Sequence, residues 1–196
     1  EACRQNQVWN SNDKVPYPLY VSINLSAVLF RQTDLVKRLE HELKSLSFDT
    51  KNLRLEITES ALMDNPELVN QMLHDLRNSG ISLYLDDFGT GYSSLSYLHS
   101  FPFDALKIDR SFVSKLGSGD EHVGMVNTII AVARNFSMGV IAEGVENSAQ
   151  IDLLRKLGCE NMQGYYFSKP LSVEDAESLF DHSWEFNEIN YRMLQC

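Results

Sequence analysis

Six short segments recur along the chain at intervals of roughly 20 to 35 residues, the size of a βα unit. Between them the apolar residues follow a helical spacing. Residues 19–25 alternate, with Val21, Ile23 and Leu25 on one side and Ser22, Asn24 and Ser26 on the other. Residues 53–58 do the same, setting Leu53, Leu55 and Ile57 against Arg54, Glu56 and Thr58. In the third segment Leu83 and Leu85 oppose Tyr84 and Asp86, and in the fourth Leu106 and Ile108 oppose Lys107 and Asp109. Residues 139–142 form a fifth strand ending on Glu143, and residues 162–167 a sixth. Helices are expected over residues 33–46, from Pro66 to a cap at Gly80, around 94–98, and over 123–136, 151–157 and 173–180.

Parallel strands joined by helical crossovers admit a wound α/β sheet or a (β/α)₈ barrel. No GxGxxG follows the first strand, which counts against a dinucleotide-binding sheet. A barrel needs eight strands in about 250 residues. With 196 residues and six strands, this chain falls short by about two. It opens on Glu1-Ala2-Cys3-Arg4-Gln5, a sequence of mid-helix character with neither Met nor cap, so a fragment of a longer chain is expected.

The parity of the strands is the most informative feature. The aliphatic side faces helices, and the other side carries a polar residue near each C-terminal end: Asn24, Glu56, Asp86 and Lys107, followed by Glu143 and Gln163. One polar residue at a strand end is usually a loop anchor. Six converging on one mouth, three of them acids, are not explained that way, and α/β barrels build their active sites at that end.

The third strand closes on Asp86-Asp87-Phe88-Gly89-Thr90-Gly91, two carboxylates side by side before a glycine-rich loop. At about 4 Å, two like charges repel by about 4 kcal/mol at an effective dielectric near 20, so a cation is called for. Neighbouring residues on an ideal strand face opposite ways, so both acids reach one site only where the strand unwinds, and Gly89 permits that. Oxygen donors without histidine select a hard cation such as Mg²⁺ or Mn²⁺. His41, His74, His99, His122 and His182 all lie off the polar parity, which disfavours zinc. A carboxylate shared by two metals suits in-line phosphoryl chemistry, and Lys107 is placed to neutralise a phosphate or hold the attacking water.

A formal net charge of −10 argues against binding DNA, RNA or a membrane surface. Cys3, Cys159 and Cys196 are far apart and form no CxxC, so neither a disulfide framework nor a thiolate zinc site is indicated, and a reducing cytoplasmic setting is expected.

Taken together, Asn24-Leu25-Ser26, Glu56-Ile57-Thr58-Glu59, residues 86–95 (DDFGTGYSSL), Leu106-Lys107-Ile108-Asp109, residues 141–146 (IAEGVE) and Gln163-Gly164-Tyr165 resemble the successive signatures of the EAL domain family. The resemblance covers residues 1–180 and leaves 181–196 as a C-terminal tail. It implies an α/β fold, a TIM-like (β/α)₈ barrel truncated here at its N-terminal side to about six βα units. It also implies hydrolysis of the bacterial second messenger cyclic di-GMP to linear pGpG with Mg²⁺ or Mn²⁺ at a two-metal site. By this likeness Asn24, Glu56, Asp86, Asp87 and Glu143 are metal ligands, while Lys107, Glu143 and Gln163 are catalytic. Glu59 anchors the loop after Asp87, and Glu146 is a supporting acid. The substrate-contacting residues are left unassigned. A homodimer, and fusion to sensor or cyclase domains upstream, are expected on the same ground.

The Glu-Ala-Leu tripeptide that names the family is absent, together with the first strands, the first helix and the substrate arginine that usually follows. Every motif downstream is intact, which favours a truncated active enzyme over the alternative, a non-catalytic module that binds cyclic di-GMP or a partner protein. The missing glutamate would be a metal ligand, so weak metal binding and slow turnover are expected of this stretch alone.

Overall fold

The computed structural model describes residues 1–12, 15, 18–62, 65–90 and 98–181. Six parallel strands form one sheet in the order β1 (Val21–Asn24), β2 (Leu53–Thr58), β3 (Ser82–Phe88), β4 (Ala105–Ile108), β5 (Gly139–Ala142) and β6 (Asn161–Met162). Each strand pairs with the next in sequence, so every crossover advances the sheet in the same direction. A wound sheet reverses its strand order at a switch point. This one never does, and it curls into a half-barrel.

The helices are α1 (Ala2–Asn10), α2 (Leu35–Ser45), α3 (Pro66–Asn78), α4 (Arg110–Val113), α5 (Asp120–Asn135), α6 (Ser148–Lys156) and α7 (Val173–Ser178). Starts and stops follow local chemistry. Asn65 accepts the Leu68 amide with Pro66 in the first turn of α3, and Asn147 and Gln150 form a reciprocal capping box on α6. α3 ends as expected at Gly80, whose amide donates to the Arg77 carbonyl while Ile81 N–H reaches Leu76 O. This six-to-one closure recurs after α2, α5 and α6, where the left-handed residues are Ser47, Ser137 and Gly158. Each closure sends the chain back toward the sheet.

Leu53, Ile57, Leu83, Leu85, Leu106 and Ile108 are fully buried, on the aliphatic parity of their strands. A second, smaller apolar cluster, Tyr84, Ala105 and Ile141, comes from the opposite parity and fills the interior beneath the polar mouth. Both strand faces are thus covered, as parallel sheets require.

Three details depart from the sequence pattern. Ile23 belongs to the aliphatic parity of β1 yet is 36% exposed. β1 is an end strand of the described sheet, so only one side of it is covered. The sixth strand, expected over residues 162–167, is only Asn161–Met162. Gly164 at φ +154° bends the chain there, Phe167 N–H closes a turn on Gly164 O, and Tyr166 N–H reaches across to Val145 O beyond the end of β5. The helix expected around residues 94–98 and the tail 181–196 lie, apart from Leu98 and Asp181, outside the described residues.

α1 and α7 meet beside β1 and β6: Trp9 Nε1 donates to Glu177 Oε1 at 3.0 Å, and the Trp9 and Phe180 rings pack edge to face. A cleft of about 800 Å³ lies between these elements and reaches Glu143 and Gln163. Among the described residues no helix is long and apolar enough to cross a membrane.

Candidate active site

The polar parity of the strands converges as the alternation implied. Lys107, near the end of β4, is 2% exposed and places Nζ 2.5 Å from Glu56 Oε2, 2.7 Å from Glu143 Oε1 and 3.3 Å from Asp86 Oδ1. Glu56 comes from β2, Asp86 from β3, and Glu143 directly follows β5. Gln163, the residue after β6, donates Nε2 to Glu143 Oε1. Five consecutive strand ends therefore contribute to one connected network. The ammonium is already engaged by three carboxylates, so its first office is internal counter-ion, which leaves little of it for a substrate phosphate.

Asp86 and Asp87 reach one site through a β-bulge. Between β3 and β4 the register steps from Leu85↔Leu106 to Phe88↔Ile108, one residue longer on β3. The extra residue is accommodated at Asp87, whose backbone is left-handed at φ +55°. Its amide donates to Asp86 Oδ1 at 3.0 Å, and Thr90 Oγ1 donates to Asp87 O at 2.8 Å, which holds the turn. The unwinding expected from Gly89 thus begins two residues earlier. As a result, oxygens of Asp86, Asp87 and Glu143 all lie within 4.8 Å of one another.

One lysine does not balance this many acids. Burial lowers the Lys107 pKa, but Glu143 and Glu56 outweigh burial and the net shift is upward. Burial raises Glu143 to about 7 despite the opposing field of Lys107, with Asp86 and Glu56 adding to the rise. Asp87 is raised too, by partial burial and by the charges of Asp86 and Asp109. The cluster is short of positive charge.

Glu56 Oε1 and Gln163 Oε1 are buried without a hydrogen-bond partner. Buried oxygens normally find a donor. Two such acceptors beside three clustered carboxylates fit an oxygen-ligated divalent cation, and the donor set suits a hard one.

The other expected residues take distinct places. Asn24 is solvent-exposed at the end of β1, in register with Glu56. Glu59, 3% exposed, accepts the Gly89 amide at 3.1 Å at the start of the glycine-rich loop. Residues 91–97 of that loop lie outside the described residues. Glu146 stands away from the ammonium, paired at 2.7 Å with Arg110. The sequence reading places Asp109 only in the fourth strand's pattern, with no role of its own, and does not single out Arg110. Asp109 shares the parity of Lys107 and acts electrostatically on Asp87, a signal that was present in the alternation of 105–109.

The EAL domain family profile matches residues 1–170. Signaling protein YkoW of Bacillus subtilis is 41% identical over 177 residues, 90% of this chain and 22% of its own length. Cyclic di-GMP phosphodiesterase NbdA of Pseudomonas aeruginosa is 42% identical over 159 residues, 81% of this chain and 20% of its own. The chain thus spans about a fifth of the length of these curated relatives. Among solved structures, the EAL domain of Mycobacterium smegmatis DcpA aligns with a TM-score of 0.84 at 36% identity, covering 91% of this chain and 80% of that one. The PaMucR phosphodiesterase in its c-di-GMP complex aligns at 0.83 and 36% identity, covering 89% and 70%. The profile match runs through all six strands and the whole carboxylate network, and the chain belongs to the EAL domain family.

Proposed function

We propose that this domain hydrolyses cyclic di-GMP to linear pGpG with Mg²⁺ or Mn²⁺. The observation that carries the reading is the Asp86, Asp87 and Glu143 oxygen cluster at the strand ends, undercompensated by Lys107 and adjoining an acceptor-only Glu56 Oε1. Asn24, Glu56, Asp86, Asp87 and Glu143 are the residues that would hold the metal ions. When bound, the ions neutralise charge on the scissile phosphate and acidify the attacking water.

The protein's own part is orientation and proton handling. Lys107 keeps Glu56, Asp86 and Glu143 within reach of one another, where three carboxylates alone would spread apart. Gln163 fixes the Glu143 carboxylate by donating to Oε1, and its own Oε1 remains free to accept a hydrogen bond from water. Glu143, held between the Lys107 ammonium and the Gln163 amide at the mouth, is placed to take the proton that the attacking water releases. Glu59 holds the turn after Asp87. Fusion to sensor or cyclase domains belongs to the same proposal, supported by the greater length of the relatives; a homodimer and a cytoplasmic setting are proposed on the family resemblance alone.

The test is chromatographic assay of the full-length protein with cyclic di-GMP and millimolar Mg²⁺ or Mn²⁺. Conversion to pGpG that chelator abolishes is expected. Tight binding of cyclic di-GMP with no conversion under either metal would replace the enzyme with a binding module.

A further inference from the structure

The rim of the cleft carries a pair that the chemistry above does not use. Arg110, the first residue of α4, places Nη2 2.7 Å from Oε1 of Glu146, three residues beyond Glu143. Both line the cleft together with Glu143 and Gln163. Their backbones are tied to each other through Gln150. Its Oε1 accepts the Glu146 amide at 2.8 Å, and its Nε2 donates to Val113 O, at the far end of α4, at 3.1 Å.

The stem of Arg110 crosses Gly144. A Cβ at that position would meet Arg110 Cγ at 2.3 Å and Cδ at 2.9 Å, and Gly144 is left-handed at φ +69°. The segment following Glu143 therefore has no side chain where the arginine passes over it. This crossing lays the guanidinium along the cleft wall that Glu143 also lines.

Electrostatics then asks what that cation is for. Glu56, Asp86 and Glu143 engage the one lysine, and Asp87 with Asp109 adds further negative charge next to Asp86. A cyclic dinucleotide carries two phosphates, and the metal-binding carboxylates serve only the one being cut. Among the described residues that line the cleft, the cationic side chains are Arg110 and Lys169, and Lys169 sits over the Tyr165 ring at 5.9 Å. The Arg110 and Glu146 side chains are 61% and 45% exposed, so their pairing is worth at most about 1 kcal/mol and is readily exchanged. A planar guanidinium on a phosphate makes two parallel charge-assisted bonds, which favours the exchange.

We propose that Arg110 is a substrate-binding residue that exchanges Glu146 for the phosphate of the cyclic dinucleotide that is not being cut. Glu146 holds the guanidinium at the rim until substrate arrives. The inference rests on the phosphodiesterase reading.

Steady-state hydrolysis of cyclic di-GMP by the full-length protein tests it, with Arg110→Ala, Arg110→Lys and Glu146→Gln. Arg110→Ala is expected to raise KM tenfold or more with kcat within about threefold, since the contact exists in both ground and transition states. Arg110→Lys should recover part of the loss. Glu146→Gln should lower KM two- to fivefold, because the guanidinium is released from its competitor, and a merely structural pair would not show that gain. Melting temperatures of all three variants identify any that fold poorly. An Arg110→Ala KM within twofold of the parent, or a Glu146→Gln KM raised alongside it, overturns the proposal. An unaltered protein that neither cuts nor binds cyclic di-GMP overturns the phosphodiesterase reading and this one with it.

Discussion

Glu59 Oε2 accepts the Gly89 amide at 3.1 Å and so joins the end of β2 to the turn that carries Asp87. The carboxylate is buried, and the turn it holds includes a non-glycine residue in the left-handed region. Glu59→Ala removes the acceptor and leaves the Gly89 amide without its partner. We expect a loss of about 1–3 kcal/mol in stability and a larger loss in metal affinity, because the bulge that turns Asp87 inward loses its support. Glu59→Gln keeps an acceptor oxygen and should lose much less. Thermal melts and Mn²⁺ titration of both variants check this, and equal behaviour of the two would show that the hydrogen bond is not what matters.

Lys107 is the sole counter-ion the described network supplies to Glu56, Asp86 and Glu143. Removing one partner from a buried ionic cluster is strongly destabilising, typically by about 3–5 kcal/mol. Lys107→Met should show that loss in chelator and regain part of it in millimolar Mn²⁺, since a divalent cation supplies the missing charge. Turnover should fall by about 10²–10⁴ even when metal restores the fold. A variant that melts like the parent in chelator would contradict the counter-ion role.

The strand alternation pointed to the cluster of Glu56, Asp86, Lys107, Glu143 and Gln163 before any coordinates, while Asn24 is not among the described contacts of that network. Both faces of a parallel strand are covered, so a polar residue on the inner parity of four strands is a deliberate exception, and Asn24, Glu56, Asp86 and Lys107 all occupy the ends expected of them. The bulge at Asp87 was not legible in detail, because a one-residue insertion is visible only as a register step against β4. Nor was the exposure of Ile23, which depends on β1 having one strand neighbour in the described sheet. The engagement of Lys107 by three acids depends on strand order, and the Arg110–Glu146 pair on the approach of α4 to the segment after β5. These are tertiary facts that no local pattern records.

Helix ends offer a test independent of function. Ser47 and Ser137 occupy left-handed positions at φ 51° and 58° in the closures after α2 and α5, where Gly80 and Gly158 serve after α3 and α6. A side chain in that region costs about 1 kcal/mol relative to glycine. Ser47→Gly and Ser137→Gly should each raise stability by about 0.5–1 kcal/mol in denaturant melts, with activity unchanged. A drop in either would mean that its hydroxyl makes up for the strain.

The last expectation concerns pH and follows from Glu143. Its pKa in the folded, metal-free protein is raised by burial from 4.5 to about 7. A folded-state pKa above the unfolded one means the group contributes stability that is fully present below about 4.5 and is lost as pH rises through 7. Asp87, also raised, acts in the same direction. Lys107 is shifted upward as well, so its contribution persists beyond this window. At about 1.4 kcal/mol per pKa unit, the Glu143 effect is on the order of 3 kcal/mol. Other carboxylates titrate over the same range, so the informative quantity is the difference between the parent and Glu143→Gln, which keeps the volume and removes the charge. In chelator, the stability of the parent relative to that variant should fall from pH 5 to pH 8. With Mn²⁺ present the trend reverses, because the ion binds the deprotonated carboxylate and its affinity for the parent should rise with pH up to about 7 and then level. A difference that stays flat across pH in chelator would mean that Glu143 is ionised throughout and that Lys107 alone sets its charge.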